Sequence, residues 1–340
     1  MPKKMPPEDR QYYELRSILG VDAMFYILLG SREAGKSYAV MDFFLKKWKE
    51  KGIPFYWLRI AETSTQKLLE NKAQKFIDPD LLRKYNLELT TKGCQVYDHG
   101  KPMAKVLSLA SMAKSKGVAF YDKDFLNDPN MWYHICLDEF QLEQGEKKTH
   151  FNIMYNLINQ LENLIRSSKE RVRIFLVGNT LENASDVLVN FNFIPEEFGR
   201  YQLKKKRAII EYMAPTKAYL ERRKGTAGDI LAGETSNFTN KLIQDKTRLF
   251  KGRLLRPTAI IKFSKDPSNW FVLWNRNVIA EYRGETAPNV VAMRPYINEQ
   301  FIQDARDSLV ALYDARGLWF KNMITMKKFE KHLQELRPRK

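Results

Sequence analysis

The hydrophobic pattern changes character along the chain. Over roughly the first half, short apolar runs alternate with stretches of helical period. Residues 25–29 form one such run, residues 36–51 follow with helical spacing and stop at Gly52, and residues 55–60 form the next run. Unbroken apolar runs of this length suit strands buried on both faces. The opening therefore reads strand–turn–helix–strand, the order of a parallel βαβ unit. A short helix is expected at 11–19, and a longer helical stretch at 63–88, interrupted near Asp78-Pro79. Two strands, 95–97 and 104–108, flank His99-Gly100-Lys101-Pro102 as a hairpin. Residues 133–137 predict a further strand, 151–167 a long helix, and 172–177 the strand after it. This alternation predicts an α/β domain with a mainly parallel sheet over residues 1–199.

Beyond it the period shortens. Three strand-like segments, 258–263, 270–274 and 278–282, are split by Asp266-Pro267-Ser268-Asn269 and Asn275-Arg276-Asn277, which predicts an antiparallel meander. Amphipathic helices are expected at 298–315 and 325–336, giving a small α+β domain at 251–340. The intervening 200–250 stretch reads as a basic linker or lid, with runs at Lys204-Lys205-Lys206-Arg207 and Arg222-Arg223-Lys224.

Composition sharpens this division. The chain has 340 residues, of which 44% are hydrophobic and 12% aromatic, so it is globular and not disordered. Its net charge of +17 points to a polyanionic partner, nucleic acid or an acidic membrane surface. The charge is unevenly placed: residues 1–198 hold 28 basic and 26 acidic side chains, whereas 199–340 hold 29 and 14. Cys94 and Cys136 are the only cysteines, which excludes a disulfide scaffold and a cysteine-based zinc site. No apolar run approaches the roughly 18–20 residues needed to span a bilayer, and the start lacks the apolar core of a signal peptide. A soluble chain in a reducing compartment, without a membrane partner, is the expectation.

The chemistry enters at Gly30-Ser31-Arg32-Glu33-Ala34-Gly35-Lys36-Ser37, which matches G-x-x-x-x-G-K-[ST] between a predicted strand and a predicted helix. The glycines let successive backbone N–H groups turn toward phosphate oxygens. Lys36 is expected to reach the β- and γ-phosphates of ATP, and Ser37 to ligate Mg²⁺. The strand at 133–137 then runs into Asp138 and Glu139. Asp138 suits the magnesium shell, and Glu139 is placed to polarise a water for attack on the γ-phosphate, which favours hydrolysis over transfer. An Asp-Glu pair at a strand end can also simply cap the next helix. Asn179, ending the strand at 172–177, suits a γ-phosphate sensor or an ordinary turn residue. Arg166, Lys169, Arg171 and Arg173, with Lys114 and Lys116, are candidates for a cation supplied to a neighbouring subunit; the first four also suit a helix C-terminus.

With these residues in view, the chain resembles the DNA-packaging ATPases of small podophages with protein-primed genomes, a terminase-like P-loop family. The likeness lies in Arg32 within the loop, Gly35-Lys36-Ser37-Tyr38-Ala39, Leu137-Asp138-Glu139-Phe140, the stretch from Arg166 through Glu170-Arg171-Val172-Arg173, and Ser264-Lys265-Asp266. The resemblance implies a P-loop NTPase of the additional-strand (ASCE) type followed by a reduced, vestigial RNase H-like nuclease domain. It implies a homomeric ring, pentameric in the family, that docks on the capsid portal in the host cytoplasm and drives double-stranded DNA into the shell. Such a motor is absent from the mature virion, and some relatives use a structural packaging RNA. By position, Arg166 matches the family's arginine finger, Lys116 a second residue acting in trans, and Arg59 another basic position.

Two-metal nucleases need several clustered carboxylates. The first expected strand of the C-terminal domain has none, and the meander offers only Asp266 and Glu281, so DNA binding without cleavage is expected there. Lys204, Lys205, Lys206, Arg207, Arg222, Arg223 and Lys224 are the candidate DNA contacts, giving sequence-independent, salt-sensitive binding. Two alternatives stay open: a helicase or remodelling ATPase without a capsid partner, and a nucleotide-gated nucleic-acid-binding protein that does not hydrolyse.

Overall fold

The computed structural model describes residues 12–110, 128, 130–141, 153–165, 170–179, 185–232, 246–261, 269–283 and 309–336. In chain order it begins with α1 (Arg16–Leu19), β1 (Phe25–Gly30), α2 (Lys36–Lys51) and β2 (Phe55–Arg59). Next come α3 (Glu62–Ala73), α4 (Pro79–Lys84), β3 (Leu89–Lys92), β4 (Gln95–Asp98) and β5 (Lys101–Ser108). Then follow β6 (Tyr133–Asp138), α5 (Ile153–Ile165), β7 (Val172–Asn179), α6 (Asp186–Phe191), β8 (Gly199–Leu203) and β9 (Ala208–Tyr212). The last are α7 (Lys217–Arg223), α8 (Ala227–Ala232), β10 (Pro257–Ile261), β11 (Asn269–Trp274), β12 (Val278–Arg283), β13 (Trp319–Phe320) and α9 (Met323–Leu336).

These form two compact units, Met1–Asn183 with Pro195–Ile243, and Ala184–Ile194 with Gln244–Lys340. The first is built on a nine-stranded sheet of order β3-β4-β5-β2-β6-β7-β1-β9-β8. Its six central strands, β5 to β9 in that order, are all parallel to their neighbours. They are buried on both faces, which is why β1, β6 and β7 read as continuous apolar runs. Strand β7 lies between β1 and β6, so the strand carrying Asn179 separates the loop strand from the acidic strand.

Helix α2 covers this centre. Phe43 and Phe44 pack with Tyr26, Phe55 and Phe175 into an aromatic core that also takes in His134, whose ring stacks on Phe44 at 5.2 Å and 7°. Gly52 ends α2 in the left-handed conformation (φ 65), the usual glycine stop. The hairpin between β4 and β5 turns at His99-Gly100, both at positive φ. Asp98, at its base, is gripped by Trp48 Nε1 at 2.9 Å and Lys49 Nζ at 2.7 Å from the end of α2. Burial pushes this carboxyl up, but its hydrogen bonds to Lys49, Trp48, His99 and the Glu88 N–H outweigh that and hold it at about 2.

Four strands differ from expectation. β3 pairs antiparallel with β4, and its half-exposed residues explain its faint hydrophobic signal. β8 and β9, in a stretch expected to begin a basic linker, join the sheet, β9 parallel to β1 and β8 antiparallel to β9. β8 is a polar edge strand, a common way of discouraging further pairing, and that polarity hides it in the sequence. In the second unit β10, β11 and β12 form the expected antiparallel meander, and β13 adds to β12 in parallel. Helix α9 packs Phe329 against Phe271 and Phe320 from this sheet. Of the helix expected at 298–315, the described part is helical over 309–314.

Candidate active site

All parallel strands of the first unit point one way, so their carboxyl ends share an edge, where ligands of open α/β sheets collect. At that edge Gly30 of β1 lies opposite Asn179 of β7, Asp138 of β6 opposite Val177, and Leu58 opposite Leu137, which brings Arg59 beside Asp138. Residues separated by more than a hundred positions meet here because the sheet order interleaves their strands.

The loop leaves β1 at Gly30 and enters α2 at Lys36. Gly35 adopts φ 84, and a Cβ there would lie 3.0 Å from the Tyr12 Cβ, so only glycine is accommodated without strain. No side chain caps α2, and the N–H groups of its first turn have no intrahelical acceptors, which makes the loop mouth electropositive. Lys36 is 5% exposed; its Nζ donates to Gly30 O at 2.9 Å, Ser31 O at 2.6 Å and Asn179 Oδ1 at 3.3 Å. Burial pulls the ammonium down to about 8, against the opposing pull of Asp138 and Glu139. The Ser31 hydroxyl is buried and has no hydrogen-bond partner among the described residues.

Ser37 Oγ donates to Asp138 Oδ1 at 2.7 Å, and Arg59 Nη2 pairs with Asp138 Oδ2 at 2.8 Å. The other guanidinium nitrogen, Nη1, holds Glu139 Oε2. Glu139 itself has φ 56, and the next residue, Phe140, donates its N–H to Val177 O at 3.1 Å. A Cβ on Gly178 would fall 2.7 Å from the Phe140 ring, so this glycine lets Phe140 lie across the tip of β7 and fix the turn that aims Glu139.

The arrangement fits a magnesium nucleotide by the chemistry of its donors. A hydroxyl already hydrogen-bonded to a buried carboxylate is the pair that holds Mg²⁺ and its water shell, and the partnerless Ser31 hydroxyl and the open α2 N-terminus are groups a phosphate would satisfy. Beside the loop a cavity of about 470 Å³ opens, lined by Tyr12, Tyr13, Ser31, Met213, Thr216 and Tyr219 among others. Its volume and apolar walls are those of a small-molecule site.

Sequence reasoning missed what grips the loop from behind. Helix α7 begins at the Thr216 cap, and the hydroxyl of its buried Tyr219 donates to Arg32 O at 3.1 Å. That contact turns the end of α7 onto the loop. Arg222 donates to Glu33 O at 2.8 Å and to Tyr12 Oη at 2.7 Å, while Arg223 pairs with the Glu33 carboxylate at 2.8 Å. Arg222 and Arg223, expected among the DNA contacts, are thus bound to the phosphate loop. Lys224 remains exposed at the end of α7.

Lys204, Lys205, Lys206 and Arg207 form an exposed turn between β8 and β9. Because Ala208 lies opposite Phe25, this turn is at the sheet edge away from the loop, a strand length of about 17 Å off. Arg171 and Arg173 stand at that same far edge, where Arg173 lies over the Trp132 ring at 4.5 Å and Arg171 donates to Asp128 O. Arg166 and Lys116, expected to act in trans, lie outside the described residues, as do Lys114, Lys169 and the Ser264-Lys265-Asp266 stretch. No helix among the described residues is long and apolar enough to cross a membrane.

The fold is similar over nearly the whole chain to two solved motors. "The Phi-28 gp11 DNA packaging Motor" superposes with a TM-score of 0.68 at 14% identity, covering 97% of this chain and 99% of that one. The bacteriophage Phi-29 genome packaging motor assembly gives 0.66 at 19% identity, covering 96% and 100%. The DNA packaging proteins of Bacillus phages PZA and phi29 are each 25% identical over 225 residues, 65% of this chain and 62% of theirs. The chain therefore spans less than two thirds of the length of these relatives. A family model, Podovirus DNA encapsidation protein (Gp16), matches residues 8–268, three quarters of the sequence. The chain belongs to the Podovirus DNA encapsidation protein (Gp16) family.

Proposed function

We propose that this protein is an ATP-hydrolysing motor that drives double-stranded DNA into a preformed phage capsid through the portal. The observation that carries the reading is the hydrogen bond from Ser37 Oγ to Asp138 at the mouth of the loop, with Glu139 beside it. It supplies the metal-holding pair and a second carboxylate in one place, the minimum for hydrolysis of a nucleoside triphosphate. The insertion of β7 between β1 and β6 supports the additional-strand class, and the meander with β13 and α9 is read as a reduced RNase H-like domain.

In this reading Gly30, Ser31, Arg32, Glu33, Ala34, Gly35, Lys36 and Ser37 cradle the phosphates of ATP. Ser37 would hold a magnesium ion directly and Asp138 would hold it through water, and the ion would supply positive charge to the phosphates. Lys36 exchanges its internal carbonyl acceptors for phosphate oxygens. Glu139 orients and deprotonates the attacking water, and Asn179, already in contact with Lys36, reports the γ-phosphate. The cavity beside the loop takes the base and sugar. Arg166, with Lys116, acts across the interface of a homo-oligomeric ring, pentameric in the family it belongs to. Partners are double-stranded DNA, the portal and, as in some relatives, a structural RNA. The motor works in the host cytoplasm while attached to the procapsid and leaves before the virion matures. Glu281, the described carboxylate of the meander, is held by Lys328 at 2.6 Å, which supports DNA handling without cleavage in the second unit.

The test is ATP-driven, DNase-protected uptake of DNA into empty capsids. Uptake that requires this chain, together with a Glu139→Gln variant that binds ATP but loses at least about a hundredfold in turnover, supports the motor. Wild-type protein without ATPase activity, even with DNA and portals present, rules it out.

A further inference from the structure

The second unit carries a pocket that the motor reading does not use. It has a volume of about 490 Å³ and is lined by Thr247, Leu249, Phe250, Lys251, Asn277 and Trp319, with Gly252 at its rim. Three chain segments meet around it through backbone bonds. Phe250 N donates to Phe320 O at 2.8 Å, and Trp319 N donates to Asn277 O at 2.9 Å. Asn275 ties the first segment to the second: its Oδ1 accepts from Leu255 N at 2.9 Å, and its Nδ2 donates to Arg253 O at 3.0 Å. The pocket is therefore built on a braced end of the sheet.

Its chemistry is selective. Trp319 alternates with the buried Phe320 and leaves 39% of its surface exposed. A Cβ on Gly252 would lie 2.6 Å from Phe250 Cζ, so the glycine gives the Phe250 ring room to fold back over the chain beside the pocket. Asn277 adds an amide to the lining. The segments 247–256, 275–277 and 317–321 contain six basic residues and no acidic one. Arg248 is engaged with Tyr313, its guanidinium 4.3 Å from the ring centre, whereas Lys251, Arg253, Arg256, Arg276 and Lys321 are all exposed. An exposed indole and a phenyl ring beside an amide, amid exposed cations, match the parts of one ligand. The rings would stack a base, the amide would meet its edge, and the cations would follow the phosphates.

We propose that this pocket binds an unpaired nucleobase of a single-stranded DNA segment. The proposal rests on the DNA-handling reading above but adds a mode that reading lacks, since a duplex keeps its bases stacked and offers only phosphates to this surface. A motor engaging a DNA end or a frayed stretch would hold it here without regard to sequence.

The experiment measures binding of the full chain to three labelled probes by fluorescence anisotropy: a single-stranded oligonucleotide, the same length with abasic sites, and a duplex. Wild-type protein should bind the normal strand about tenfold tighter than the abasic one, the scale of one stacked base. Trp319→Ala should erase that gap while leaving abasic and duplex binding unchanged, and Trp319→Phe should restore most of it. Lys251→Ala with Arg253→Ala should lower the single-strand salt slope by about 1.4 and keep the gap. Equal affinity of wild-type protein for normal and abasic strands overturns the proposal, as does a Trp319→Ala loss that is the same for both. Neither failure touches the motor reading, which is checked separately by ATPase activity and capsid uptake of the same preparations.

Discussion

At the scale of single residues, the site depends on burial as much as on charge. Lys36 is nearly enclosed, and burial lowers its ammonium to about 8. Phosphate needs the protonated form, so affinity for ATP should be full below pH 8 and decline above it, approaching tenfold per pH unit. Titrating nucleotide binding from pH 7 to 10 checks this, and Lys36→Arg, which stays charged throughout, should lose the decline. His134 is the opposite case: fully enclosed in the aromatic core, with neither ring nitrogen hydrogen-bonded among the described residues, it is held neutral down to about 3, chiefly by desolvation. The unfolded chain takes up this proton near pH 6.5 and the folded one does not, so stability is complete above that value and falls as pH drops below it. By pH 5 the loss should reach about 2 kcal/mol from this group alone. Melting curves at pH 7.5 and 5.0 should show that His134→Phe narrows the difference between them.

At the scale of elements, legibility in the sequence followed locality. The loop and the Asp138-Glu139 pair are contiguous strings whose chemistry dictates their spacing, and both are found where expected, at strand tips. Arg59 was legible as a basic residue ending an apolar run and, through the resemblance, as a basic position of the family, but its pairing with Asp138 and Glu139 was not. The grip of α7 on the loop was invisible, because Tyr219 and Arg32 are 187 positions apart and a basic run reads equally well as a DNA contact. β8 and β9 were hidden for a related reason, being short strands embedded in positive charge. These long-range contacts make their own predictions. Gly178→Ala would drive a Cβ into the Phe140 ring, a rigid neighbour, and shift the turn that aims Glu139. Overpacking of this kind costs about 1–3 kcal/mol in stability, and a displacement near 1 Å costs about a hundredfold in rate. The expected result is a folded protein that binds nucleotide and turns it over at least tenfold more slowly. Arg222→Ala removes a donor to the Glu33 carbonyl and a cation packed on Tyr12, so it should raise KM for ATP several-fold with a smaller change in kcat. If steady-state kinetics instead left KM unchanged and weakened only DNA binding, the α7 arginines would return to the DNA interface.

At the scale of the molecule, the charge separates two kinds of work. Residues 1–198 carry nearly balanced charge and residues 199–340 most of the excess, yet two of those downstream cations, Arg222 and Arg223, hold the 30–37 loop at Glu33. Subtracting Arg222 and Arg223 leaves the exposed turn Lys204-Lys205-Lys206-Arg207 as the densest cationic feature of the first unit, at the sheet edge away from the 30–37 loop. The proposed motor must grip any sequence, and grip of that kind comes from phosphate neutralisation, which shows in the salt dependence of binding. Each duplex phosphate contact contributes a slope of about 0.9 in log K against log salt. Replacing Lys204, Lys205 and Lys206 together by Ala should therefore lower the duplex slope by about 2 to 3 and weaken binding uniformly across sequences. Basal ATP hydrolysis should stay intact, because the turn lies a strand length of about 17 Å from the loop. A slope unchanged by the triple substitution would place the duplex track elsewhere on the positive surface.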